Sequence, residues 1–266
     1  MIKIYDNGTD FYNENKEFLL TNVYSEVFFR LDSPLLVTAN KDEYALLVSD
    51  EKHKLVALLK EPYNLLLYGN YQLVDELVTF LIENNYRIKD YLCPMELGDK
   101  LMECFNKHNY QFELSIGMDF MEAKEKVDIS SDEIEKPTMA DIDELFELVN
   151  IFVKDCGLSD KPNNEFVIKH LDEFRIIRKD GLIVSMAKSR ESTKTNKNIS
   201  CVFTRKEYRG QGLAKKVVGT ILNEIIDAGY YASLNVDKKN PISNHVYYSL
   251  GFRKIFSQGI YVFLKH

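Results

Sequence analysis

The sequence predicts an α/β protein with mixed sheets, organised in two halves. Both halves combine apolar residues at the helical period with short apolar runs and alternating segments that are typical of strands. A polar and charged segment, residues 122–137, separates the halves and ends at a proline. The chain has 266 residues, of which 45% are hydrophobic, and this is enough for two ordinary domains. We therefore predict an N-terminal α/β domain over residues 1–128 and a second domain over residues 129–266.

Four segments of the first half have a clear period. The apolar run NLLLY at 64–68 is typical of a strand buried on both faces, and leucines and valines from 73 to 81 form a helical stripe. A further helix is predicted between 97 and 108, and FELSIGMDFME at 112–122 alternates as a strand does. This half contains no phosphate loop, no nucleophile elbow and no metal-ligand spacing.

The second half alternates between helices and strands. Thr138 and Asp141 resemble a capping box that begins a helix, and Gly229 is a predicted helix C-cap. Asn240 and Pro241 are typical of a helix start, with Gly251 ending that short helix. The other predicted helices cover 142–153, 163–173 and 213–226, and the predicted strands cover 182–188, 199–204, 231–236 and 255–266.

Charge and composition argue against several classes of protein. The net charge is −7, with 13 basic and 23 acidic residues up to residue 128 and 21 basic and 18 acidic residues after it, which argues against nucleic-acid binding across the molecule. The apolar runs are too short to span a bilayer, and the N-terminus lacks the apolar core of a secretory signal. Four cysteines form no CxxC pair, and no two histidines lie three to five residues apart. We expect a cytoplasmic protein with reduced thiols, no metal and no membrane contact.

The stretch RKEYRGQG, residues 205–212, lies between a predicted strand and a predicted helix. The first amides of a helix have no partner within it, and the helix dipole makes this end positive. Gly210 and Gly212 would let the backbone curl around an anion, and Lys215 and Lys216 could reach a further phosphate. The stretch does not match a Walker loop, because no GK pair followed by Ser or Thr is present. It does not match a dinucleotide-binding fingerprint either, because residue 215 is lysine where a glycine-type residue is needed. The turn by itself fits a phosphate site and a plain loop about equally well.

A second motif changes this balance. Arg209, Gly212 and Ala214 fit the pattern (Q/R)-x-x-G-x-(G/A), and the stretch NPISNHVYYSLGF begins 26 residues later at Asn240. In this order and at this spacing, the two motifs resemble the GCN5-related N-acetyltransferase (GNAT) family at its acetyl-CoA site, and the resemblance covers residues 133–266. It implies a GNAT fold for this half, acetyl-CoA as cosubstrate, no metal, and a cofactor site formed by Val202, Phe203, Thr204, Arg209, Gly210, Gln211, Gly212, Leu213, Ala214, Lys215, Asn240 and Asn244.

The resemblance also implies how these residues act. The amides of residues 210–214 would hold the diphosphate, and main-chain groups of Val202 and Thr204 would pair with the pantetheine arm as an added strand does. Two parallel strands would splay apart after 204 and before 236 to make room for that arm. An amine would attack the thioester directly, and an amide near Val202 would hold the oxyanion. Tyr247 would give the departing thiolate a proton or a hydrogen bond.

The general base is not visible in the sequence. Glu207 lies in the turn and is predicted to face solvent, and Asp237 sits beside two lysines at a strand end. His245 is two residues from Tyr247 and so points in a different direction on a helix. Cys201 has no evident histidine partner and is predicted to be a buried thiol. A base acting through water, or an amine that arrives partly deprotonated, stays open.

We expect an N-acetyltransferase acting on a small or peptidic amine. A non-catalytic CoA-binding or interaction module, and transfer of a larger acyl or aminoacyl group, are the alternatives. The order of elements over residues 64–122 resembles a degenerate copy of the same fold without the glycine turn, which predicts a tandem GNAT-like arrangement. This acidic half could form one wall of the acceptor site and attract a cationic amine. Alternatively, it could stabilise the protein or mediate dimerisation, so the possibility of a homodimer stays open.

Overall fold

The computed structural model describes residues 1–130, 132–157 and 162–264. The chain forms two compact units: the first contains Met1–Asp119, Asp237–Lys239 and Phe256–His266, and the second contains Phe120–Val236 and Asn240–Ile255. The domain boundary between residues 128 and 129 stays a prediction. Among the described residues, no helix is both long enough and apolar enough to cross a membrane.

One order of elements occurs twice along the chain: a strand, two helices, three strands, a helix, a strand, a helix and a strand. The first pass consists of β1 (Ile2–Tyr5), α1 (Gly8–Leu19), α2 (Val23–Asp32), β2 (Tyr44–Ser49), β3 (Lys54–Leu59), β4 (Leu65–Gly69), α3 (Val74–Glu83), β5 (Tyr91–Pro94), α4 (Met95–Lys107) and β6 (Phe112–Ala123). The second consists of β7 (Ile134–Glu135), α5 (Ile142–Asp155), α6 (Asn164–Lys169), β8 (Phe174–Lys179), β9 (Leu182–Glu191), β10 (Asn196–Thr204), α7 (Leu213–Asp227), β11 (Tyr231–Asp237), α8 (Pro241–Ser249) and β12 (Arg253–Phe263). The predicted α/β class with mixed sheets is confirmed, and the repeated order agrees with the predicted tandem arrangement.

In the first unit, the strands follow the order β1-β2-β3-β4-β5-β12. The pairs β1–β2, β2–β3, β3–β4 and β5–β12 are antiparallel, and the pair β4–β5 is parallel. Helices cover both faces, so the central strands are buried on both sides. Leu46 packs in the core that contains α3 and α4, whereas its neighbour Leu47 packs in the core that contains α1 and α2. Leu65 and Leu66 of β4 divide between the same two cores, which confirms that the run NLLLY is a strand buried on both faces.

The end of the C-terminal strand is part of the first unit. Residues Gln258 to Tyr261 of β12 pair with β5, and the rings of Tyr261 and Tyr91 stack with centroids 4.7 Å apart. The Tyr261 hydroxyl donates a hydrogen bond to Asp99 Oδ1 at 2.7 Å. Because each of these contacts joins residues distant in sequence, strand periodicity alone could not assign them.

In the second unit, the strands follow the order β6-β11-β10-β9-β8-β7, and β10 and β11 are parallel. The pairs β9–β10, β8–β9 and β7–β8 are antiparallel. One face of these strands packs against α7 and α8, and the other packs against α5 and α6. The helix predicted over 163–173 ends at Lys169 and is followed by a 3₁₀ turn from Leu171 to Glu173, because the chain must then enter β8 at Phe174.

Gly98 provides a test of the packing around Tyr261. A Cβ atom at Gly98 would collide with the Tyr261 ring, so Gly98→Ala is expected to lower the free energy of unfolding by about 1–3 kcal/mol through overpacking. Gly117→Ala is the control, because a Cβ there meets its neighbours only from 3.4 Å and is expected to change stability by less than about 1 kcal/mol. Urea titration of the full chain measures both variants. Equal stability of the two would contradict this packing.

Candidate functional site

The parallel strands β10 and β11 separate partway along their length. Their register joins Asn196, Lys197 and Asn198 to Tyr231, Ala232 and Ser233, and no further pair is found in the part of the chain that the structure describes. The two strands continue to Thr204 and Asp237, so beyond Asn198 the backbone edge of β10 is not paired with β11, and we call this unpaired stretch the opening. The splay was predicted after residue 204; the structure places it earlier, from Ile199 onward.

A β-bulge lies at the start of this opening. The register between β10 and β9 shifts between Ser200 and Phe203, and Cys201 has a φ of 51°, in the left-handed region. Ile199 packs in the core that contains α7, whereas Cys201 packs in the core that contains α5, although simple alternation would put both on one face. The buried Cys201 thiol confirms a core position. The bulge therefore turns the backbone of β10 at the point where β11 departs.

Main-chain groups of β10 beyond the bulge point toward the opening. The Arg205 amide donates to the Val184 carbonyl of β9 at 2.9 Å, and Thr204 lies opposite Ser185. Because hydrogen-bonded and non-bonded pairs alternate in an antiparallel ladder, the amide and carbonyl of Thr204 face away from β9. Val202 lies within the bulge, where this alternation does not apply, and its predicted pairing with a cofactor stays a prediction. The main-chain groups of Phe203 face β9 instead. The Thr204 carbonyl already accepts a hydrogen bond from Arg209 Nε at 3.0 Å.

The glycine turn begins directly after β10. A 3₁₀ turn from Lys206 to Tyr208 leads to Gly210 with φ 79° and Gly212 with φ 74°, and α7 begins at Leu213. No neighbouring atom lies within 4 Å of a Cβ built at either glycine, so the positive φ is what requires glycine there. Within the described residues, the amides of residues 210–214 donate no hydrogen bond to the protein. The first turn of α7 carries no acidic residue, so these amides can receive an anion.

Side chains around the turn have partners that the sequence did not reveal. Arg209 reaches back to Asp155 at 3.6 Å, and Lys216 forms an ion pair with Glu133 at 2.8 Å. Gln211 Oε1 accepts a hydrogen bond from Lys179 Nζ at 3.2 Å. The ammonium of Lys216 holds the pKa of Glu133 below its usual value, with a smaller contribution from Lys179.

The remaining predicted residues of the turn differ in exposure. Leu213 is buried in the core that contains α7, and Ala214 is half-buried. Lys215 is exposed in the first turn of α7. The side chain of Leu213 thus anchors the helix start, so any role in holding an anion belongs to its backbone amide.

Tyr247 lies on α8 and is buried in the core that contains α7, with a relative exposure of 6%. Burial raises the pKa of its hydroxyl well above the usual value, and neighbouring Cys156 of the α5 C-terminus adds to the shift. A phenol with a raised pKa stays protonated at neutral pH and can donate a proton. Its neighbour Tyr248 is exposed.

Asn240 and Asn244 form the start of α8. The Asn240 side chain accepts a hydrogen bond from the Ser243 amide at 3.0 Å, which confirms the predicted N-cap. Asn244 Nδ2 donates to the Asn240 carbonyl at 2.8 Å. Both side chains therefore take part in the helix start, and their predicted contact with a cofactor stays a prediction.

The candidates for the general base are Glu207, Asp237 and His245. Glu207 and His245 are exposed, and the carboxylate of Asp237 accepts a hydrogen bond from the Lys239 amide at 2.8 Å. Asp237 is assigned to the first unit, whereas Tyr247 is in the second.

A buried polar cluster near β9 was not predicted from the sequence. His170 Nδ1 lies 2.9 Å from Glu173 Oε1, and Lys188 Nζ donates to Glu173 Oε2 at 3.1 Å. Lys188 is opposite Ser200, the residue at the start of the bulge, and its ammonium lies 5.0 Å from the centroid of the Phe166 ring. A lysine within a strand otherwise filled by apolar residues was the signal that could have indicated this cluster.

The first unit lacks the features of the glycine turn at the corresponding place. Its parallel pair β4–β5 joins Leu65 and Leu66 to β5, and the chain then enters α3 through a 3₁₀ turn. Asn70 Oδ1 accepts a hydrogen bond from the Gln72 amide at 2.8 Å, so a side chain occupies the position of an anion. The first turn of α3 carries Asp75 and Glu76, which disfavour a second negative charge.

The chain is similar to one family model over part of its second half, and to solved structures over nearly its whole length. Residues 176–262 match the family model described as FR47-like protein. A GCN5-related N-acetyltransferase from Sphaerobacter thermophilus has a TM-score of 0.67 at 14% identity, covering 98% of this chain and 94% of its own. A GNAT-family acetyltransferase from Colwellia psychrerythraea has a TM-score of 0.64 at 12% identity, covering 99% and 98%, and a GCN5-related N-acetyltransferase from Kribbella flavida has 0.53 at 15%, covering 83% and 90%. No curated protein sequence matches the chain.

These similarities confirm the resemblance to the GNAT family. The chain has the fold of GNAT acetyltransferases, and that fold extends over both halves, since the solved structures match nearly the whole chain. The family model covers only part of the second half, residues 176–262, and this part contains the bulge, the glycine turn and Tyr247. Among the described residues, no group of three or more His, Cys, Asp or Glu side chains could hold a metal ion.

The backbone at Cys201 yields a stability test. A β-branched side chain is strongly disfavoured at positive φ, so Cys201→Val is expected to lower the free energy of unfolding by about 1–3 kcal/mol despite the strand preference of valine. The control Ile199→Val, in the regular part of β10, is expected to lower it by only about 0.5–1.5 kcal/mol. Thermal and urea unfolding measure both. A Cys201→Val protein as stable as the wild type would show that the strand is regular in solution.

Proposed function

We propose that this protein is an acetyl-CoA-dependent N-acetyltransferase that transfers an acetyl group to an amine. One observation carries the proposal: the amides of residues 210–214 have no acceptor among the described residues, and they lie where β10 has left β11. Acetyl-CoA contains an anionic diphosphate and an extended arm with amide groups, and these chemical features match a cluster of bare amides beside an unpaired strand edge.

The glycine turn supports binding of the diphosphate. Each charge-assisted hydrogen bond contributes about 1.5–3 kcal/mol net, which outweighs the penalty of roughly 0.5–1 kcal/mol for a glycine. The positive end of α7 adds to the attraction. The amide and carbonyl of Thr204 face away from β9 and could pair with the arm, as could those of Val202, although the Thr204 carbonyl would share its lone pairs with Arg209.

Acetyl-CoA supplies the thioester, and residues of this chain would control its reaction. The amine nitrogen forms a bond to the carbonyl carbon, and the carbon–sulfur bond breaks. The Val202 amide, which lies within the bulge next to Cys201, would donate to the oxygen on which negative charge develops. Tyr247 would donate a hydrogen bond or a proton to the departing sulfur, since its raised pKa keeps the hydroxyl protonated at neutral pH.

The amine must lose one proton in the reaction. Strand β10 carries no carboxylate from Ile199 to Thr204, so we infer that an amine arriving neutral loses this proton to water, and that Tyr247 regains from solvent any proton that it gives to the sulfur. The acceptor in this proposal is a small or peptidic amine, and the reaction takes place in the cytoplasm. A metal has no role in this scheme.

A second candidate function is a module that binds CoA without catalysis. The lack of a carboxylate in β10 at the opening favours it. The buried hydroxyl of Tyr247, at the motif position implied by the GNAT resemblance, favours the enzyme. Transfer of a larger acyl group would use the same turn and differ in the size of the acyl site.

Calorimetry with acetyl-CoA, followed by thiol release across a panel of amines, tests the proposal. Binding together with amine-dependent release of CoA would support the transferase. Binding without release on any amine would favour the module, and turnover of longer acyl-CoA esters in preference to acetyl-CoA would favour the larger group. Failure of the wild-type protein to bind acetyl-CoA would reject the proposed function.

Tyr247→Phe tests the proton donor. Loss of the hydroxyl is expected to lower kcat by about 10²-fold with little change in the KM for acetyl-CoA, because a general acid acts in the transition state. Tyr248→Phe is the matched control, since Tyr248 is the next residue on the same helix and is exposed, and its kcat is expected to match the wild type. Steady-state kinetics measure both. Full activity of Tyr247→Phe would remove this residue from the mechanism.

Gly212→Ala tests the turn, with Gly229→Ala as its control. Both glycines have positive φ, 74° and 82°, and open space around a built Cβ, at opposite ends of α7. Each substitution is expected to lower the free energy of unfolding by about 1–2 kcal/mol. Only Gly212→Ala is expected to weaken CoA binding, by about tenfold, because it moves the amides. Calorimetric titration distinguishes them; equal affinities would place the diphosphate elsewhere.

A further inference from the structure

The turn between β8 and β9 lies at the same end of the sheet as the glycine turn. Lys179 is the last residue of β8 and pairs with Leu182, the first residue of β9. Thr204, the last residue of β10, pairs with Ser185, three residues further along β9. The antiparallel pairs β8–β9 and β9–β10 thus bring Lys179 to the end of the sheet where β10 ends. In sequence, 25 or more residues separate Lys179 from the glycine turn.

A side-chain contact joins the two turns. Lys179 Nζ donates a hydrogen bond to Gln211 Oε1 at 3.2 Å, and Gln211 lies between the two glycines whose positive φ exposes the amides. A lysine ammonium has three N–H donors and no acceptor. One donor on Gln211 therefore orients the ammonium beside the turn and leaves the others for a second acceptor.

Lys179 differs from the other basic side chains near the turn in the kind of partner that it has. Arg209 has an ion pair with Asp155, and Lys216 has a shorter one with Glu133. Among the described residues, the hydrogen-bond partner of Lys179 is, by contrast, the neutral amide of Gln211. An ammonium that is held by a neutral group keeps its full charge available for an anion.

We propose that Lys179 binds a phosphate group of the CoA cosubstrate, together with the amides of the glycine turn. This inference rests on the proposed function, and it adds to the site a residue from a different element of the sheet. The shared chemistry is a phosphate, either in the diphosphate or at the 3′ position of the ribose. Lys179 is half-buried, so its contact with phosphate is partly shielded from solvent.

The carboxylate of Glu133 interacts electrostatically with Lys179. Its carboxylate forms the ion pair with Lys216 at 2.8 Å and also lies in the field of Lys179. Because a phosphate carries at least the charge of a carboxylate and offers more acceptor oxygens, it competes with Glu133 for the Lys179 ammonium. Lys179 would contact the phosphate without releasing Gln211.

Calorimetric titration with CoA and with dephospho-CoA, which lacks the 3′-phosphate, tests this inference in the full chain. Lys179→Met is expected to bind CoA about tenfold more weakly than the wild type, the loss of one charge-assisted hydrogen bond at a partly exposed site. Lys179→Arg keeps the positive charge and is expected to retain most of the affinity. Lys194→Met is the matched control, because Lys194 is an exposed lysine in the turn between β9 and β10, at the far end of β9.

The two ligands separate the two phosphates. Equal weakening of CoA and dephospho-CoA by Lys179→Met would assign Lys179 to the diphosphate, and weakening of CoA alone would assign it to the 3′-phosphate; either result supports the inference. Wild-type affinity in Lys179→Met, or the same loss in Lys194→Met, would overturn it while the proposed function stands. Failure of the wild-type protein to bind CoA would instead reject the proposed function itself.

Discussion

The left-handed backbone at Cys201 is the constraint on which the candidate site depends. A strand that stayed regular through this residue would keep its register with β9, and its side chains would keep alternating between the two cores. Instead the register shifts, and Ile199 and Cys201 pack on opposite faces. The parallel pairing with β11 ends at Asn198, two residues before the shift begins. One backbone distortion thus coincides with an unpaired strand edge, and an unpaired edge is what an extended ligand needs.

The two halves have the same order of elements, but only the second half has the features of an anion-binding site. Both contain a parallel strand pair whose first strand leads through a turn into the helix that connects it to the second. In the second half, glycines expose the amides at the helix start, and the first turn carries no acid. In the first half, Asn70 caps its turn and acidic residues follow. The same order of elements therefore presents a site for an anion in one half and a closed, acidic helix start in the other.

The C-terminal strand shows how tertiary packing can override the order of the sequence. Residues of β12 pair with β5, and Tyr261 stacks on Tyr91 and hydrogen-bonds to Asp99. The sequence signal for this strand was correct, since its apolar residues do form a strand. Its partner could not be predicted, because alternation reports which residues are buried and carries no information about the neighbouring strand.

Local signals determined the elements and motifs of this protein. The glycine turn, the N-cap at Asn240 and the strand at 64–68 follow from steric and hydrogen-bonding preferences that act within a few residues, and they were predicted from the sequence alone. Most of the first 60 residues, which form β1, α1, α2, β2 and β3, offered weaker periodicity and were not assigned. Only the tertiary structure decided that Cys201 adopts a left-handed φ, that Lys179 reaches Gln211, and that His170, Glu173 and Lys188 share a buried cluster. Each of these depends on strands brought side by side from distant parts of the chain, and the energy of such contacts cannot be read from the short stretches of sequence that contain them.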